Sequence, residues 1–115
     1  MIRRKDEQTV ERKCIRNGVG ETEMRRLLNG AEEMLGKGRM FNHMMLIPGN
    51  SIGEHTHTGD NEVFYFLSGT GEYNDNGTWV TVGPGDVALC RDGESHSVRN
   101  TGAEPLEFIA LILYS

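Results

Sequence analysis

The chain has 115 residues, 37% hydrophobic and 25% charged, which suits one globular domain and excludes two. Its longest apolar run, Phe108 to Tyr114, is seven residues, against the roughly 18 a membrane helix needs. Residues 1–40 carry +3 and residues 41–115 carry −8, so the C-terminal body is a poor nucleic-acid surface.

The N-terminus, Met1-Ile2-Arg3-Arg4-Lys5-Asp6-Glu7, has no apolar stretch of the kind secretory signals carry. Together with two unpaired cysteines outside any CxxC motif, this leads us to expect a cytoplasmic protein with reduced thiols. Residues 1–23 read as an N-terminal arm or strand, of which residues 1–12 are frayed, a short helix, or an edge strand lent to a neighbour. Residues 24–115 read as the body of one domain. Glu23–Leu28 is a candidate strand. Ala31–Leu35 contains helix formers, but Gly30, Gly36 and Gly38 limit it to one turn.

From residue 40 onward, short runs alternate with turn signals in the spacing of an all-β barrel. The runs are Met40–Ile47, Glu62–Leu67, Gly71–Asn74, Thr78–Val82, Asp86–Arg91, His96–Asn100 and Leu106–Leu113. Pro48-Gly49-Asn50 and Gly83-Pro84-Gly85-Asp86 separate them. Asp75-Asn76-Gly77 predicts a type I′ hairpin, because Asn-Gly tolerates positive φ at both central positions. Tyr73 and Trp79 flank that turn as strand residues.

Three of the four histidines fall into one spaced pattern. Gly49 is followed after five residues by His55-Thr56-His57, after four more by Glu62, and after six more by Gly69. Later come Gly85 and Gly93, then His96 after two residues and Asn100 after three. On a strand, residues i and i+2 share a face, so His55 and His57 can aim at one point. Glu62 opens the next strand and His96 a later one. Three neutral imidazoles and a carboxylate suit a divalent transition metal (Mn, Fe, Co, Ni, Cu or Zn). Four protein ligands on an octahedral ion leave two positions open, the arrangement used in metal catalysis.

Gly49 to Gly69 resembles the first motif of the cupin superfamily, and Gly85 to Asn100 resembles the second. The likeness extends more loosely from Met24 to the C-terminus. The second motif departs once: Arg91 stands where the family usually has proline. The resemblance implies a small single-domain bacterial or archaeal cupin, a double-stranded β-helix or jelly-roll-like antiparallel barrel. It implies His55, His57, Glu62 and His96 as metal ligands. It implies no particular activity, since cupins include decarboxylases, dioxygenases, isomerases, sensors and storage proteins.

Other residues are candidates for the pocket. His43 either points inward as a proton shuttle or substrate contact, or faces solvent. Phe64 and Phe66 share the strand parity of Glu62, and Val98 that of His96, so each either walls the pocket or packs the core. Met44 or Met45 is a candidate for the pocket mouth. Arg91 is either solvated or an anion contact. Glu54 is a candidate partner of a metal ligand, although its parity opposes that of His55. Tyr65 alternates outward, and Cys90 reads as a buried small hydrophobe.

The expected function is a metal-dependent enzyme acting on a small carboxylate or sugar-like molecule. The alternative is a non-catalytic binding or sensing cupin, with a storage role ranked last. A homodimer is expected, in which one sheet packs against its mate or the N-terminal strand is exchanged, with a small-molecule ligand and no nucleic-acid or membrane partner.

Overall fold

The computed structural model describes all 115 residues. It has ten strands: β1 Val10–Lys13, β2 Thr22–Leu28, β3 Gly38–Leu46, β4 Ser51–Thr56, β5 Asp60–Ser68, β6 Gly71–Asp75, β7 Thr78–Val82, β8 Val87–Cys90, β9 Ser95–Arg99 and β10 Leu106–Tyr114. They form a six-stranded sheet in the order β1-β2-β3-β10-β5-β8 and a four-stranded sheet in the order β4-β9-β6-β7. Every pairing is antiparallel. This is the all-β architecture that the turn spacing predicts and the double-stranded β-helix that the cupin resemblance implies.

Period-2 burial explains why these segments pair. β10 buries Leu106, Phe108, Ala110 and Ile112, and β3 buries Asn42, Met44 and Leu46. Of these, Leu106, Phe108, Ala110, Met44 and Leu46 meet Phe64, Phe66, Ile52, Tyr73 and Val98 in one core shared by both sheets. The inner face of β5 runs Phe66, Phe64, Glu62, Asp60 and is buried throughout. It therefore passes from apolar to acidic along its length, which places a polar centre at one end of the barrel.

Asn76 and Gly77 have φ of 51° and 99° at the β6–β7 turn, as the type I′ reading requires. Arg91, in the family's proline position, lies in a turn that is closed in another way. Glu94 accepts the Arg91 amide at 2.8 Å on its carboxylate, while its own amide donates to the Arg91 carbonyl at 2.9 Å.

Two elements differ from the sequence reading. The helical turn covers Gly30–Glu33, not Ala31–Leu35. The N-terminal arm is continuous with the six-stranded sheet: a 3-10 turn at Lys5–Glu7 leads into β1, which pairs with β2 of the same chain from Val10↔Arg25 to Lys13↔Thr22. Between β1 and β2, residues 14–21 form a strap across β4. Gly53 donates to the Ile15 carbonyl at 3.1 Å and Ser51 to the Val19 carbonyl at 2.9 Å. The approach is close enough that a Cβ on Gly53 would lie 1.8 Å from the Arg16 carbonyl oxygen, so only glycine fits.

Candidate metal centre

His55, His57, Glu62 and His96 converge at the acidic end of the core. One donor atom from each lies within 4.8 Å of all the others. The Nε2 atoms of His57 and His96 are 3.1 Å apart, as are those of His96 and His55. Glu62 Oε1 is 3.0 Å from His96 Nε2, 3.1 Å from His57 Nε2 and 3.9 Å from His55 Nε2. Two ligands about 2.1 Å from an ion and at right angles to each other stand about 3 Å apart, so the spacing fits a metal.

A β-bulge brings the set together. β4 pairs with β9 as Ile52↔Val98, then as His55↔His96, a slip of one residue. The slip turns His55 to the same side as buried Ile52, sends Glu54 outward to the Asn74 amide at 3.0 Å, and sets His55 directly opposite His96. His57 lies just past the end of β4. It is held by backbone bonds to Glu94 and Gly93, of 3.0 and 2.7 Å. The i, i+2 strand geometry expected for the two histidines is thus replaced by a bulge followed by a turn.

Each imidazole is anchored through Nδ1. His55 Nδ1 donates to the Gly53 carbonyl at 2.8 Å, and His57 Nδ1 donates to Asp60 Oδ1 at 2.6 Å. His96 Nδ1 lies 2.7 Å from the Tyr73 hydroxyl. A carbonyl and a carboxylate only accept, so neutral His55 and His57 carry their proton on Nδ1 and present bare Nε2 lone pairs to the centre. Lone pairs facing one another and a carboxylate repel unless a cation lies between them. The donor set therefore fits a divalent ion.

The electrostatics agree. Burial alone would raise the Glu62 carboxyl, but the three imidazoles, which turn positive toward it whenever Nε2 is protonated, favour its ionised form and hold the group well below the usual carboxylate range. The bond from His57 to Glu62 raises His57 against its burial, with Asp60 adding to the effect. Burial dominates at His96 and lowers it. Asp60 is desolvated, yet its bonds to His57 and to Arg39 Nε, the latter at 2.9 Å, keep it below its ordinary value.

Asp60, Tyr73 and Arg39 are functional candidates that sequence reasoning missed. Asp60 shares the parity of Glu62, which was the available signal. Tyr73 carried no signal beyond its place beside a hairpin. Because the Tyr73 hydroxyl orients His96, Tyr73→Phe is expected to weaken metal binding by about tenfold or more while preserving the buried ring. Chelator competition would measure this, and an unchanged affinity would remove Tyr73 from the site.

A cavity of about 210 Å³ opens onto the centre. Its wall includes His55, His57 and Glu62, and its other polar residues are Lys13, Arg16 and Arg39. His96 is 1% exposed and lies behind. Among the candidate pocket residues, Met44 and Phe64 line this cavity. Phe66 and Val98 are each fully buried in the core, away from it. His43 is directed away from the pocket. It alternates with buried Asn42 and Met44, and its Nε2 lies 3.0 Å from Glu107 on the outer face. Arg91 is exposed and Tyr65 is 46% exposed. Cys90 is buried, and burial pushes its thiol up to about 11.

The chain resembles known proteins along its whole length. The oxalate-binding protein of Thermotoga maritima is 46% identical over 114 residues, 98% of this chain and 93% of that protein. A crystal structure of a predicted oxalate decarboxylase from the same organism matches with a TM-score of 0.95 at 46% identity, covering 100% of both chains. A Klebsiella pneumoniae protein with a double-stranded β-helix domain matches with a TM-score of 0.71 at 25% identity, covering 87% of this chain and 83% of that one. The Cupin_2 model, described as a cupin domain, matches residues 42–112, from the middle of β3 almost to the end of β10. With fold, motifs and relatives in agreement, the chain belongs to the cupin family.

Proposed function

We propose that this protein holds a divalent transition-metal ion through His55, His57, Glu62 and His96 and binds a small carboxylic acid at the positions the protein leaves open. The observation that carries this reading is the convergence of three Nδ1-anchored imidazoles and a carboxylate at the base of a cavity. The remaining polar wall of that cavity is cationic. A bound ion would supply Lewis-acid stabilisation of negative charge on the acid. The chain's own residues orient the donors, keep His96 dry and draw an anion inward through Lys13 and Arg16, neither of which makes an ion pair. The similarity to an oxalate-binding protein supports an acid over a sugar.

Elemental analysis of protein purified without added metal, followed by calorimetric titration with oxalate, tests the reading. One equivalent of metal and metal-dependent oxalate binding are expected; a metal-free protein that cannot be loaded would refute it. Enzymatic turnover is a second reading, favoured by the open coordination. Carbon dioxide release or oxygen consumption with small acids, under argon and under air, separates it from binding alone.

Metal binding should depend on pH. Protons compete for the same lone pairs, and His57 takes one above the ordinary imidazole pKa of about 6.5 because Glu62 raises it. Affinity is therefore present at high pH and is lost as pH falls, starting at His57. Chelator competition between about pH 8 and about pH 5 should show a steady loss that steepens below about pH 6.5.

For assembly, we propose a homodimer. The outer face of β5 and β8 exposes Tyr65, Leu67, Val87 and Leu89 side by side, with Tyr65↔Val87 and Val63↔Leu89 in register. Light scattering with size exclusion should give twice the chain mass, and a monomer at micromolar concentration would refute it. No helix is long and apolar enough to cross a membrane. The free thiols Cys14 and Cys90 support a reducing compartment.

A further inference from the structure

The wall of the metal cavity is more apolar than an oxalate site requires. Ile15 from the strap, Met24 from β2, Met40 and Met44 from β3, Ile52 from β4 and Phe64 from β5 all face it. Oxalate has two carbons, both carboxyl, and offers these side chains nothing to cover. The cavity of about 210 Å³ is larger than oxalate needs and leaves apolar wall beyond the chelating end of a bound acid.

The strap holds Ile15 over this space by construction. Arg16 and Asn17 adopt the left-handed φ values of 54° and 58°, which non-glycine residues rarely take without compensation. The compensation is close packing on β4. Gly18 sits so near it that a Cβ there would lie 2.1 Å from the Ser51 carbonyl oxygen, and Gly53 approaches Arg16 from the other side. Ile15 and Met40 are only half-buried, so part of each remains available to a ligand. Methionines at three positions give this wall an adaptable surface.

We infer that the ligand is a 2-oxo or 2-hydroxy acid with an aliphatic body, its chelating end at the metal and its chain against Ile15, Met24, Met40 and Ile52. This rests on the proposed metal-dependent acid binding and narrows it to a ligand class. Lys13 and Arg16 steer the acid in, and their aliphatic stems extend the apolar wall.

Calorimetric titration of the metal-loaded protein with oxalate, pyruvate, 2-oxobutanoate, 2-oxopentanoate and 2-oxohexanoate tests the inference. Affinity should rise by about fourfold per added methylene until the chamber is full, then level off. In Ile15→Asn and Met40→Gln the rise should shrink to less than about twofold per methylene, with metal content at the wild-type level. A flat or falling series with oxalate bound most tightly overturns the inference and leaves acid binding standing. Failure of every acid, oxalate included, on metal-loaded protein overturns both.

Discussion

Metal should raise the melting temperature of the wild-type protein by more than about 10 °C, and His96→Ala or His57→Ala should abolish that rise. An ion held at 1,000 times its dissociation constant adds about 4.1 kcal/mol, and a domain of this size gains roughly 4 °C or more per kcal/mol. His96 is 1% exposed and shares short contacts with His55, His57 and Glu62. Removing it breaks the cluster at its hub, and affinity should fall by more than the roughly 100-fold that outer partners of a ligand control. The metal-free variants should remain folded, because losing one imidazole also relieves the crowding of lone pairs around Glu62. Differential scanning calorimetry with and without metal reads both quantities. A full metal-induced rise in both variants would place the ion elsewhere.

Phe108→Ala should be the most damaging single truncation of the core. Phe108 is fully buried on β10, with its ring centroid 4.6 Å from Phe64 and 5.5 Å from Phe66. Truncating a buried phenylalanine costs about 3–5 kcal/mol, a large part of the roughly 5–15 kcal/mol that holds a domain together. The melting temperature should fall by about 12 °C or more. The damage should also reach the site, because Phe64 packs on Phe108 on one side and lies 5.2 Å from the His96 ring on the other. Urea denaturation checks the stability loss, and chelator titration checks the site. A loss below about 1 kcal/mol would mean that the two sheets close without this ring.

The two variants act on different parts of one structure. Phe66 and Phe108 close the barrel, Phe64 joins that core to His96, and Asp60, Tyr73 and the Gly53 carbonyl aim the three imidazoles. The rigid apolar floor thus fixes the donors before any ion arrives, which lowers the entropy that ordering them would otherwise cost.

Much of this was legible in the chain. Strand alternation along Leu106–Leu113 and Glu62–Leu67, the Asn76-Gly77 turn and the spacing of His55, His57, Glu62 and His96 are local signals. They depend on the fixed two-residue repeat of a strand and on the φ preferences of a few residues. The inward path of Glu62, Phe64 and Phe66 followed from the same repeat. The orientation of His43 did not, because Phe41 and Met45 are apolar on the outer side of β3 while Met44 and Leu46 are apolar on the inner side, and composition alone cannot rank the two faces. Asp60 falls just before the Glu62–Leu67 run, and Tyr73 reads only as a hairpin flank.

The amino-acid sequence by itself determined most of the strands, the tight turns and the spacing of His55, His57, Glu62 and His96, since each is a pattern within a short stretch of chain. Only the tertiary structure decided that a one-residue bulge beside Gly53 faces His55 toward His96, that Tyr73 and Asp60 aim the rings, and that the strap walls the cavity with Ile15. Those relations join segments 20 or more residues apart, apart from the local reach of Asp60 to His57. They are set by strand register and close backbone packing, which no short window of sequence contains.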